Sequence, residues 1–161
     1  MSQPKFGQTI QAPNALRMRV GSGRMGGIDP AAIAKAEAAL KSLSGNFAQW
    51  LNDEIAKLER VRATIRSEGP SLENMESLYL RAHDLKGLGA TYGFPLITRI
   101  AGLLCRLIDD KSKRLEAPMG LIDAHIDAIK AAVRDGIKTD EHPVGSILVK
   151  ELESRIQKLG A

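Results

Sequence analysis

One run of the sequence concentrates groups that could do chemistry: Arg81-Ala82-His83-Asp84-Leu85-Lys86-Gly87-Leu88-Gly89-Ala90-Thr91-Tyr92-Gly93. An imidazole is the one ordinary side chain that changes charge near physiological pH, so an exposed histidine offers an uncharged, nucleophilic nitrogen. Lys86 follows His83 by three residues. On a helix that is one turn, close enough for an ammonium group to balance the oxygens of a phosphoryl group in transit or attached to the ring. Phosphoryl transfer asks a protein for positioning and charge compensation more than for covalent help. An imidazole and an ammonium group therefore suffice for a carrier whose partner brings the remaining apparatus.

Spacing divides this run between two helix faces. Leu78, Ala82, Leu85, Gly89 and Tyr92 follow a buried stripe, whereas His83, Lys86, Gly87 and Ala90 stand at offsets zero, three, four and seven and share another face. The histidine is thus expected to point outward. Glycine inside a helix costs about 1 kcal/mol relative to alanine, so two of them in mid-helix must be offset elsewhere. Gly89, on the stripe, reads as close packing between helices. Gly87, with Ala90 beyond it, leaves a bare strip of helix beside the imidazole that another protein's surface could approach.

The elements that must position this face are helical throughout. Apolar residues recur three and four apart from Asp29-Pro30 to the C-terminus, without convincing strand alternation. Six segments are predicted, at about 30–43, 46–67, 71–92, 95–111, 118–135 and 143–159. Ser44-Gly45-Asn46 closes the first, Gly69-Pro70 the second, Gly93 and Pro95 the third, and Gly136 the fifth. Ser71 is the expected N-cap of the third, with Glu73 in its first turn, but Asn74 in the third place falls short of a full capping box. Short connections favour antiparallel neighbours. The predicted fold is all-α, an antiparallel up-down-up-down four-helix bundle at about 45–135 with extra N- and C-terminal helices. The last segment, with Val144, Leu148, Leu152, Ile156 and Leu159 on one face, must pack on the bundle or on another chain.

His83-x-x-Lys86-Gly87, with Gly93 ten residues after the histidine and an apolar helix following, resembles the histidine-containing phosphotransfer (HPt) domain of two-component phosphorelays. The resemblance covers about residues 45–135. It implies that His83 is the phosphorylated residue, that Lys86 stabilises the phosphoryl group, and that Gly87 gives clearance to a partner. It also implies a carrier and not an enzyme, with response-regulator receiver domains, and a hybrid sensor kinase among the candidates, as partners. No cofactor of its own is implied, and Mg2+ is expected in the partner receiver. The family often has small or hydroxyl residues where this chain has Leu88-Gly89. A second reading stays open: a helical interaction module that binds a receiver or other regulator without being phosphorylated.

Composition bounds the rest. With 161 residues, 43% hydrophobic and 26% charged, the chain suits one globular domain, here 29–161, behind an arm at 1–28. That arm holds five of the fifteen glycines and an expected short extended piece at 15–20. It carries Lys5, Arg17, Arg19 and Arg24 and no acid, leaving 19 basic against 19 acidic groups in the body. The net charge of +4 is therefore a property of the arm, and specific nucleic-acid binding, which could act only through it, is not expected. The absence of a sufficiently long apolar run and of a secretory h-region, with a single cysteine, makes the cytoplasm the expected compartment and no membrane the expected partner.

The other candidate groups read as structural. His125 and His142 lack further histidines or cysteines at metal-ligand spacing. Cys105 lies in an apolar helix and reads as a small buried hydrophobe. The charged stretch from Asp53 to Arg66 reads as the wet face of a helix with internal ion pairs, and Asp109-Asp110-Lys111 as a helix end.

Overall fold

The computed structural model describes residues 27–160. The arm before Gly27, with the extended piece expected at 15–20, lies outside the described residues. Among the described residues all regular structure is helical, so the chain is all-α. The helices are α1, Pro30–Glu68; α2, Leu72–Leu88; α3, Pro95–Leu107; α4, Met119–Asp135; and α5, Pro143–Lys158. A 3-10 turn, Arg114–Glu116, precedes α4.

The expected break at Ser44-Gly45-Asn46 does not occur: α1 is one helix of 39 residues. A lone glycine costs about 1 kcal/mol but supplies its N–H to the ladder, unlike proline, and the residues before it are good helix formers. Asp29 caps the start, its Oδ1 accepting from the Ala31 N–H at 3.0 Å. The contacts divide the chain into a unit ending at Leu43 and a second unit from Ser44. In the first, every described residue is exposed, Ile33, Leu40 and Leu43 included. In the second, α1 buries Leu51, Ile55, Leu58, Arg62 and Ile65 at four and three spacing. It stops at Gly69, whose φ of 82° few other residues adopt.

At the start of α2, contrary to expectation, Asn74 completes a capping box with Ser71. Its N–H donates to Ser71 Oγ at 3.1 Å, and its Oδ1 accepts from the Ser71 N–H at 2.8 Å. A third bond, from Asn74 Nδ2 to the Gly69 carbonyl, secures the turn. Asparagine is shorter than the usual glutamate or glutamine but offers the same acceptor to the backbone. Regular helix ends at Leu88, earlier than expected, because Thr98 Oγ1 takes the Ala90 N–H at 2.8 Å. A looser turn runs on to Gly93, at φ 89°, where Gly93 N–H bonds Ala90 C=O and Phe94 N–H bonds Gly89 C=O. This pairing is a Schellman closure with glycine in the left-handed position. Gly87 and Gly89 thus stand at the end of α2 and not in its middle.

Helix α3 is the most buried element, with Leu96, Ile97, Ile100, Ala101, Leu103, Leu104 and Cys105 inside. It packs against α2, α4 and α5. It ends at Leu107, four residues short of expectation, with the Ile108 N–H bonding back to Leu104 and Cys105. The expected helix over 109–111 is replaced by a turn in which Asp110 Oδ1 accepts from the Ser112 N–H and hydroxyl. Gly136, at φ 68°, closes α4. Helix α5 buries Gly145, Val149, Leu152 and Ile156 and packs on α3 and α4 of its own chain.

Candidate functional site

His83 lies on the outer face of α2 and is exposed, as are Lys86, Gly87 and Ala90. The face opposite buries Met75, Leu78, Ala82 and Leu85 against the core. This division follows from the helical period, since three-and-four spacing sends the two sets to opposite sides. Tyr92, at the edge of the apolar stripe, is half-buried.

The two glycines have different surroundings. A Cβ built on Gly89 would lie 2.7 Å from the Thr98 nitrogen, 2.7 Å from Thr98 Oγ1 and 3.1 Å from the Phe94 carbonyl oxygen. Glycine here lets the first turn of α3 meet the last turn of α2. A Cβ on Gly87 would meet nothing within 4 Å. Among the described residues nothing requires glycine at 87, and the helix beside His83 is bare.

Lys86 does not stand free in solvent along its whole length. Its Cγ, Cδ and Cε would lie 3.9–4.0 Å from a Cβ on Gly102, so its stem passes over the middle of α3. Its positive charge pulls against the burial that drives the Cys105 thiol up to about 11, so the thiol is protonated and buried. Lys86 makes no hydrogen bond or ion pair among the described residues, so its ammonium is available to an incoming anion. Gly102 was not singled out from sequence, although a glycine inside so apolar a helix is itself a signal of close approach.

On the other side of His83 stands Tyr79, one turn earlier on α2. The two ring centroids are 6.1 Å apart. Tyr79 donates its hydroxyl to Asp109 Oδ1 at 3.1 Å, a bond that raises the phenol's pKa and keeps it protonated. The Arg114 guanidinium lies 4.8 Å from the Tyr79 ring centroid. Arg114 and Asp109 reach this place from beyond α3, and no spacing rule links residues 31 and 26 apart in sequence to His83. Asp84, next to the histidine, pairs with Arg81 at 3.6 Å.

The remaining histidines have structural surroundings. His125 is fully buried on α4, its Nδ1 bonded to the Leu121 carbonyl at 2.7 Å and its Nε2 without a partner. His142 caps α5, its Nδ1 accepting from the Val144 N–H at 3.1 Å. Among the described residues no group of three or more His, Cys, Asp or Glu side chains could hold a metal ion. Nor does any described helix have the length and apolar character to cross a membrane.

The Asp53–Arg66 stretch is more than a wet face. Lys57–Glu54 and Arg62–Glu59 are internal pairs, as expected. Arg62, however, is buried, and its Nη1 reaches Asp127 at 2.8 Å and Asp123 at 3.4 Å on α4. Burial alone would lower its pKa, but the hydrogen bonds it donates to Glu59 and Asp127 outweigh that and raise it.

Comparison of the chain with family models, curated proteins and solved structures returns no match.

Proposed function

We propose that this protein is a histidine phosphocarrier of the HPt type, moving a phosphoryl group between receiver-domain aspartates through His83, on an antiparallel four-helix bundle with additional terminal helices. The observation that carries this reading is the open helix face. An exposed imidazole stands beside Lys86, whose ammonium has no ion-pair partner among the described residues, and beside Gly87, where nothing lies within 4 Å of a would-be Cβ.

In the forward step, the lone pair of the unprotonated imidazole nitrogen attacks the phosphorus of a receiver's aspartyl phosphate. The N–P bond forms as the P–O bond breaks, the aspartate carboxylate leaves with the bonding electrons, and the other ring nitrogen keeps its proton. Lys86 offsets charge on the phosphoryl oxygens throughout. Gly87 and Ala90 let the partner come close enough for in-line geometry, which requires the reacting atoms about 3–3.5 Å apart. The partner receiver supplies Mg2+ in this scheme, and the reverse step loads a second receiver. No catalytic activity of the carrier alone is required.

Phosphoryl transfer from a set of pre-phosphorylated receivers to the purified protein tests the proposal, with His83→Gln alongside. The expected product is an acid-labile, alkali-stable label on the wild type that is absent from the variant. No label from any receiver, together with tolerance of His83→Gln in cells, would overturn it and leave the non-phosphorylated interaction module in its place.

A further inference from the structure

The carrier reading uses His83, Lys86 and Gly87 but assigns nothing to the group on the other side of the imidazole. Tyr79 and His83 are ring neighbours one helical turn apart, with centroids 6.1 Å apart and planes inclined at 34°. That separation lies within the range of interacting aromatic pairs. Tyr79 is itself restrained from two directions, by Asp109 at its hydroxyl and by Arg114 against its ring.

Arg114 is a firm anchor. It is 3% exposed, its Nε donates to the Ile108 carbonyl at 2.6 Å, and its Nη1 pairs with Glu76 on α2. A chain of direct contacts therefore runs from the 3-10 turn through Arg114 and Tyr79 to the imidazole. An exposed side chain on a helix ordinarily exchanges among its allowed χ1 rotamers in picoseconds to nanoseconds. A fixed ring beside it favours one of them, and a nucleophile already aligned spares the reaction part of its orientation cost.

We infer that Tyr79, held by Asp109 and Arg114, is a positioning residue that keeps the His83 imidazole in one rotamer for in-line attack. Its kinetic part rests on the carrier reading. Tyr79 touches neither the phosphoryl group nor the metal and acts through His83 alone.

The test joins spectroscopy of the unphosphorylated protein with transfer kinetics. NMR of the wild type is expected to give χ1 couplings of a single His83 rotamer, and imidazole proton resonances displaced by the Tyr79 ring current. Tyr79→Leu should abolish that displacement and slow single-turnover transfer from a phosphorylated receiver about tenfold, leaving the half-saturating receiver concentration within about twofold. Tyr79→Phe, which keeps the ring, should restore most of the rate. Rotamer averaging at His83 in the wild type, a measurement that needs no variant to fold, would overturn the inference. So would a folded Tyr79→Leu protein that transfers at the wild-type rate. A single rotamer in a protein that no receiver phosphorylates, with His83→Gln tolerated in cells, would refute the carrier reading and leave the positioning intact. Free averaging in a protein that receivers do phosphorylate would refute the positioning alone.

Discussion

Gly87 and Gly89 are two residues apart and have opposite reasons to be glycine. At Gly89 an added methyl would overlap the Thr98 backbone nitrogen, an atom that cannot yield without moving the start of α3. Overpacking of this kind costs about 1–3 kcal/mol, so Gly89→Ala should lower the unfolding free energy by that amount in urea titrations. At Gly87 the methyl would enter open space. Relief of the helix penalty should leave Gly87→Ala unchanged or more stable, by up to about 1 kcal/mol, while transfer from a receiver slows. Stability and transfer falling together in Gly87→Ala would contradict its assignment to partner clearance. This contrast was legible in the sequence, because helical spacing alone puts Gly89 on the apolar stripe and Gly87 on the face of His83. The roles of Tyr79, Asp109 and Arg114 around His83 were not legible, since they depend on where the chain returns after α3.

At the scale of the helices, the ladder and the caps are local matters, and most could be read from residue order. Asp29, Ser71, Gly69 and Gly136 mark the ends they were expected to mark, whereas Gly93 closes the looser turn that follows α2. The exceptions have local causes of small size, such as Gly45 inside α1 and Thr98 drawing off the Ala90 amide. Between helices the decisive group is Arg62, which links α1 to Asp123 and Asp127 of α4 while Lys130 of α4 reaches back to Glu59. Removing the guanidinium strands no buried charge completely, since Asp123 keeps Arg66, Glu59 keeps Lys130 and Asp127 is largely exposed. The expected loss for Arg62→Met is therefore below that of a fully buried pair, about 1–2 kcal/mol by chemical denaturation. An unchanged midpoint would mean that the packed stem of the side chain matters and its charge does not. Arg62 sits on the same period as Leu58 and Ile65, and that placement is the one sequence clue that it is buried.

For the whole molecule, the buried His125 couples folding to pH. Burial holds its imidazole below the ordinary histidine range, opposed in part by the bond to the Leu121 carbonyl. The folded protein thus keeps it neutral where the unfolded chain takes up a proton. Stability from this group is complete above the unfolded pKa of about 6.5 and is lost as pH falls below it, at up to about 1.4 kcal/mol per pH unit. His125→Met should flatten the fall in the urea midpoint between pH 7.5 and 5.5, while both proteins lose stability at lower pH as carboxylates are protonated, such as Glu59, where burial pushes the pKa up but Arg62 and Lys130 together hold it below the ordinary range. Equal slopes for the two proteins between pH 7.5 and 5.5 would exclude His125 as the source.

The all-helical class, the approximate extents of the later helices and the outward face of His83, Lys86, Gly87 and Ala90 were contained in residue order, because periodicity and capping act over a few residues at a time. Tertiary structure alone decided that Lys86 lies over Gly102, that Arg114 backs Tyr79 beside the imidazole, that Arg62 meets Asp123 and Asp127 of α4, and that α5 packs on its own chain. Each of these joins groups distant in sequence, and their meeting depends on how whole helices pack against one another, which no local pattern of three and four can encode.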